Sequence, residues 1–230
     1  METKTILVSG AGGALGSAVV KELAAAQYKI IAVVRSGKTG PDYENVYVEE
    51  ADLANDEDAR RLAARVFEKH KTIDAVVMLA GGYSASRLQN TGSGELANML
   101  AINFETAYYL TRHTLPRVLE QPGGCRYIFI GSRAALEAEA AKEAAAYSLS
   151  KSLLFRLSEI VNAEGGRKGV ASTVIVPGII DTEQNRRAMP HADFSEWVST
   201  GEIAAMIRFL CSPEGRSVRN SVIKMYGDGR

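Results

Sequence analysis

The chain has 230 residues, 46% of them hydrophobic and 23% charged, with 27 basic residues balancing 27 acidic ones. That length and balance suit an α/β chain whose core needs neither disulfide nor metal, and a zero net charge gives no support to a nucleic-acid partner. The two cysteines, Cys125 and Cys211, stand in no CxxC or Cys/His spacing, so zinc binding and a disulfide framework are not expected. Nor is a membrane: no apolar run approaches the ~20 residues of a span, and Met1-Glu-Thr-Lys-Thr5 leads straight into Ile6-Leu7-Val8 without the organisation of a secretory signal. A cytoplasmic protein is the expectation.

In chain order, the first predicted strand, Lys4–Ser9, leads through a glycine-rich turn into a helix over Ala14–Gln27. Gly10 suits a tight turn at positive φ, Gly13 leaves bare backbone for a pyrophosphate, and Gly16 allows close packing. Ala14 and Leu15 lie in the helix's first turn, whose amides favour an anion. The second strand, Lys29–Val34, ends at Arg35, where a carboxylate would select a free ribose. Arg35, with Lys38 nearby and no acid before Asp42, favours a 2′-phosphate, hence NADP(H) over NAD(H), though a solvated surface arginine fits the same pattern. After the third strand, Val46–Glu50, come Asp52 and Leu53; Asp52 suits either an adenine amino group or a turn.

A helix over Asp56–Lys69 precedes the strand Asp74–Ala80, which closes on Ala80-Gly81-Gly82, bare backbone at the edge where parallel sheets bind ligands. A long helix over Gly94–Val118 carries Asn103 in an otherwise apolar stripe, where its amide suits either a helix surface or a water relaying protons. The strand Arg126–Gly131 is followed by Ser132, a hydroxyl for a substrate carbonyl. The alanine-rich stretch 134–146 has strong helix propensity and runs into a helix over Ala144–Glu164. A strand over Ala171–Val176 ends at Pro177-Gly178-Ile-Ile-Asp-Thr182, a rigid loop suited to the carboxamide end of a nicotinamide. A capped helix over Thr200–Leu210 and a strand over Ser221–Tyr226 complete the chain. Continuous apolar strands alternating with helices predict a single Rossmann-type, doubly wound domain over residues 1–230, with a seven-stranded parallel sheet.

Tyr147 and Lys151 share one face of their predicted helix. A tyrosine can give a proton to a developing alkoxide, and a nearby ammonium should lower its pKa. Spacing alone makes this a weak signal, since an exposed tyrosine and a solvated lysine give the same pattern.

Taken together, the glycine loop, Asp52, Ala80-Gly81, Asn103, Ser132, Tyr147-xxx-Lys151 and Pro177-Gly178 fall in the order of the short-chain dehydrogenase/reductase family, which the chain resembles over essentially its whole length. The resemblance implies Tyr147 as acid/base and Lys151 as its partner and ribose ligand. It implies Ser132 as carbonyl-orienting group, Asn103 in a proton relay, and a homodimer or homotetramer built on the two long helices. Within the family, Leu79-Ala-Gly-Gly-Tyr83 and the long stretch Asp181–Trp197 resemble the dihydropteridine reductases. That implies a substrate-cleft loop at about 178–198 and a cleft bordered by Tyr83. Arg35 and Ser132 depart from that subgroup, which carries aspartate and alanine there. The Ser132–Tyr147 interval also exceeds the family norm. The function expected is NADP(H)-dependent reduction of a small-molecule carbonyl or quinonoid dihydropteridine-like ring. The alternatives are a 3-oxoacyl thioester or ketone reductase and an NADP-sensing protein without turnover.

Overall fold

The computed structural model describes residues 3–228. Its elements run β1 (Thr5–Ser9), α1 (Ala14–Ala25), β2 (Lys29–Val34), β3 (Val46–Glu50), α2 (Asp56–His70), β4 (Ala75–Met78), α3 (Ser93–Leu100), α4 (Thr106–Glu120) and β5 (Arg126–Ile130). Then come α5 (Ala138–Ala141), α6 (Ala145–Gly165), β6 (Ala171–Pro177), β7 (Ile180–Asp181), α7 (Glu183–Ala188), β8 (Val198–Ser199), α8 (Thr200–Cys211) and β9 (Ser221–Met225). Seven strands form one sheet in the order β3-β2-β1-β4-β5-β6-β9, every pair parallel, and β7 pairs with β8 in a small separate ribbon.

The continuous apolar strands have a physical reason. Successive side chains of a strand point to opposite faces, and here both faces are covered. Leu7, Ile31, Val76, Tyr127 and Phe129 pack under α2, α4 and α6 through Leu62, Leu110 and Leu154. Their neighbours Ile6, Val8, Ile30, Val77 and Ile128 pack under α1 and α8 through Val20, Leu23, Ile203 and Ile207. Helix α2 is capped by Asn55, whose side chain accepts from the amides of Glu57 and Asp58. The Ser199–Glu202 capping box starts α8, with both reciprocal hydrogen bonds formed.

Three boundaries differ from expectation. The long helix is not one regular α-helix, because residues Ala101–Glu105 form a π turn between α3 and α4, with Asn103 inside it. Single π turns of this kind concentrate at functional sites. Strand β4 stops at Met78, because the next two amides, of Leu79 and Ala80, donate to the Ser9 hydroxyl at 3.1 and 3.3 Å. The alanine-rich stretch yields only the four-residue α5 and a 3-10 turn at Arg133–Ala135. A bridge between Ser86 and Ala144, with the Ala145 amide donating to the Ser86 carbonyl at 2.9 Å, draws the chain out of helix there. Tertiary contacts outweigh propensity in that segment.

Candidate active site

Strand ends β1, β4, β5 and β6 meet at the carboxyl edge of the sheet, and the polar residues gather there. Gly10 turns at φ +67, and a Cβ on it would stand 2.8 Å from the Ala80 amide nitrogen, so the glycine loop lies directly against the end of β4. The Gly13 amide donates to the Gly10 carbonyl at 3.0 Å to close the turn. Gly13 then begins α1 without any side-chain cap, leaving the amides of Ala14, Leu15 and Gly16 without partners in the helix. Close packing at Gly16 is against this loop, since a Cβ there would run into the Gly10 carbonyl.

Lys151 is buried, and its ammonium donates to the Ile130 carbonyl at 2.9 Å. Burial lowers its pKa from 10.5 to about 8. Tyr147, one helical turn earlier, is only partly buried. Burial still dominates its phenol and raises the pKa, the nearby Ser132 hydroxyl pulls it down, and the Tyr83 phenol opposes that. The expected lowering by the lysine is therefore overturned. The ammonium is committed to a carbonyl, and desolvation of the phenol outweighs every charge around it.

Despite the long interval before Tyr147, Ser132 comes close enough for its hydroxyl to pull the phenol's pKa down. The extra residues are taken up by α5, and two serines of α6 tie down the start of the segment. Ser148 donates to the Ala134 carbonyl at 2.7 Å and Ser152 to that of Ala135 at 3.3 Å. Ser132 itself accepts from the Ala134 amide at 3.2 Å. Asn103 is buried on the π turn; its Oδ1 accepts from the Gly82 amide at 3.0 Å and its Nδ2 donates to Ser150 at 3.2 Å. A Cβ on Gly81 would sit 2.6 Å from Asn103 Oδ1 and 3.3 Å from Lys151 Nζ, so only bare backbone fits between them. Tyr83 is 65% exposed and meets Tyr147 edge to face, ring centroids 5.0 Å apart.

The outer candidates are arranged differently. Arg35 is exposed just beyond β2, and among the described residues no carboxylate pairs with it. Asp52 is exposed and accepts from the Ala54 amide at 3.1 Å, a turn contact, while the Leu53 side chain belongs to the core and leaves only its backbone for a ligand. Pro177 is buried at the end of β6, and the Gly178 amide donates to the Met225 carbonyl at 2.8 Å. Thr182 gives its hydroxyl oxygen to the Asn185 amide at 3.2 Å as the cap of α7. The cleft-loop stretch is thus a short helix held by the β7–β8 ribbon and by the buried Trp197. A hollow of about 620 Å³ lined by Arg87, Leu88, Lys142, Glu143, Ser148 and Leu149 includes none of the four central polar residues.

Sequence reading missed Ser9, Ser148, Ser150 and Ser152, which hold these groups rather than face a ligand. The signal was present for three of them: Ser148-Leu-Ser150-Lys-Ser152 puts Ser148 and Ser152 on one helix face and Ser150 on another.

The family model described as short chain dehydrogenase matches residues 4–193, taking in the whole polar cluster. A dihydropteridine reductase of Dictyostelium discoideum is 25% identical over 229 residues, 96% of this chain and 94% of the relative. The 3-oxoacyl-(acyl-carrier-protein) reductase MabA of Mycobacterium avium is 24% identical over 233 residues, 98% of this chain and 89% of the relative. A blue fluorescent protein from a metagenomic library, solved in complex with NADPH, shares the fold with a TM-score of 0.83 at 23% identity, over 99% of this chain and 98% of that one. With its parallel sheet, its glycine loop and a family match over most of its length, the chain belongs to the short-chain dehydrogenases/reductases, NAD(P)-dependent oxidoreductases.

Proposed function

We propose that this protein is an NADPH-dependent reductase of a carbonyl or a quinonoid dihydropteridine-like ring, with Tyr147 as the proton donor. The observation that carries the reading is the Tyr147 phenol itself: partly exposed, one helical turn from the buried Lys151 ammonium, and edge to face with the exposed Tyr83. A reductase needs its acid loaded before the reaction, and a phenol holds its proton throughout neutral pH.

The residues fit a dinucleotide. The uncapped amides of Ala14, Leu15 and Gly16 would take the pyrophosphate beside Gly10 and Gly13. Asp52, with the Leu53 backbone, would take the adenine, and Arg35 the 2′-phosphate. Ala80, Gly81 and Gly82 leave the groove floor bare, Lys151 would hold the nicotinamide ribose, and Pro177, Gly178 and Thr182 the carboxamide. When bound, the reduced nicotinamide supplies the hydride. Tyr147 gives its phenolic proton to the developing alkoxide, Ser132 orients the carbonyl by hydrogen bonding, Asn103 supports the proton relay, and Tyr83 borders the substrate. Lys151, still a cation at neutral pH, would hold the nicotinamide ribose through its charged ammonium.

A 3-oxoacyl thioester or ketone reductase is the second reading, favoured by the Ser132 hydroxyl beside the Tyr147 phenol, which suits a plain carbonyl. The reading also takes residues 1–230 as one domain. It pairs two or four copies through Tyr108 on α4 and Leu149, Leu153 and Ile160 on α6, large apolar side chains left exposed on the two long helices. Light scattering should then give a dimer or tetramer mass, and a monomer would remove that part.

The deciding experiment is NADPH oxidation over a panel of ketones, 3-oxoacyl thioesters, quinones and a quinonoid dihydropterin. Tyr147→Phe should lose about 10²–10⁴-fold in kcat while binding NADPH as tightly as the wild type. Wild-type protein that binds NADPH and oxidises it with no substrate would favour a sensor instead.

A further inference from the structure

We propose that Ser150 is a positioning residue of the reaction, acting through Asn103 to hold the Gly81–Gly82 turn against Lys151; this rests on the reductase reading above. Ser150 is fully buried, and its one hydroxyl joins α6 to the π turn. Its oxygen donates to the Tyr147 carbonyl at 2.8 Å, at the turn that carries the proton donor. The same oxygen accepts from Asn103 Nδ2 at 3.2 Å.

The direction of each bond follows from what the groups can do. The Gly82 amide only donates, so Asn103 must present Oδ1 to it, at 3.0 Å. Nδ2 is then turned toward α6 and needs an acceptor. Its other neighbour is Met99 Sδ at 3.7 Å, a weak acceptor. The Ser150 proton is already spent on the Tyr147 carbonyl, so the hydroxyl offers a lone pair to Asn103. A flipped amide would set two donors against each other at Gly82. Ser150 therefore fixes which way round Asn103 sits.

Orientation matters because there is no slack around it. The space between Asn103 Oδ1 and Lys151 Nζ is too small for one Cβ on Gly81. A rotated Asn103 would press on that segment, on which the proposed nicotinamide groove is floored, or release the Gly82 amide from Asn103 Oδ1. The π turn is what brings Asn103 within reach of both α6 and the end of β4.

Ser150→Ala removes the acceptor, and Ser150→Thr restores a hydroxyl able to bond the preceding turn. With NADPH and the best panel substrate, the alanine variant should lose about tenfold to a hundredfold in kcat with KM changed less than about threefold. Its Gly82 amide should exchange hydrogen about tenfold faster, the pH limb of kcat/KM should move, and the threonine variant should recover most of each. An alanine variant with wild-type kcat, pH limb and Gly82 exchange would overturn the proposal. So would one that loses only thermal stability, with its pH limb in place. If the alanine variant does not fold, Ser150→Cys, a near-isosteric weak acceptor, should show the same changes at smaller size, and wild-type behaviour in it would overturn the proposal. If wild-type protein reduces nothing on the panel, the reductase reading fails separately, and Gly82 exchange alone decides whether Ser150 holds the turn.

Discussion

The polar groups of this protein fall into two regions that obey different physics. The inner cluster, Asn103, Ser132, Tyr147 and Lys151, is buried or half-buried, and Asn103, Ser132 and Lys151 each have a side-chain hydrogen-bond partner within the chain. The outer rim, Arg35 and Asp52, is exposed: Arg35 pairs with no carboxylate among the described residues, and Asp52 accepts only from its own turn. Groups fixed in a dry interior arrive at the reaction already oriented, and their electrostatic effect is undiluted by solvent. Groups on the rim gain their energy only when a ligand supplies the partner. The inner cluster should therefore govern how fast the protein works, and the rim what it binds.

The largest test of this division is Lys151. Its charged form prevails below its pKa, which burial has brought down to about 8. In the free protein, kcat/KM for reduction should be level through neutral pH and fall as pH rises through about 8, as the ammonium is lost. Lys151→Met should abolish that limb and lower kcat by about 10²–10⁴-fold, measured across pH 6–10. The stability effect has the opposite sense. The unfolded lysine holds its proton up to about 10.5, so between 8 and 10.5 the unfolded chain binds more protons, and this group's penalty on folding eases as pH rises. The methionine variant removes the penalty altogether, and at pH 7 it should unfold at or near the wild-type temperature. A variant that kept its rate but changed its cofactor choice would break the division.

Legibility in the sequence follows the same line. The strands were readable because burial on both faces leaves a continuous apolar signature, and Leu7 and Val8 needed opposite cores to explain them. Gly10, Tyr147 and Lys151 were readable because their chemistry demands particular residue types at particular spacings. Ser9 was not, and the spacing of Ser148, Ser150 and Ser152 showed only which helix face each takes, because a supporting hydroxyl can come from anywhere that the fold brings close. Nor was the end of the alanine-rich helix, which depends on a long-range bridge to Ser86. The sign of the Tyr147 shift was the least accessible of all, since it needs the depth of burial and not merely the neighbour.

Arg35 gives the smaller test and the one aimed at the rim. Among the described residues no carboxylate competes for its guanidinium, so its contribution is expected to come from the ligand. A charge-assisted contact to a 2′-phosphate contributes roughly 1.5–3 kcal/mol, about tenfold to a hundredfold in affinity. Arg35→Asp should weaken NADPH by at least that factor, since it adds repulsion, and leave NADH unchanged or improved, because a carboxylate accepts from a free ribose. Fluorescence titration with both nucleotides reads the ratio directly. With either cofactor saturating, kcat should stay within about threefold of wild type, because Arg35 touches nothing in the inner cluster. A wild-type preference for NADH would reassign Arg35 to the solvated surface. A loss of kcat at saturation would mean that rim and interior are coupled, and the Arg35 side of the comparison would have to be redrawn.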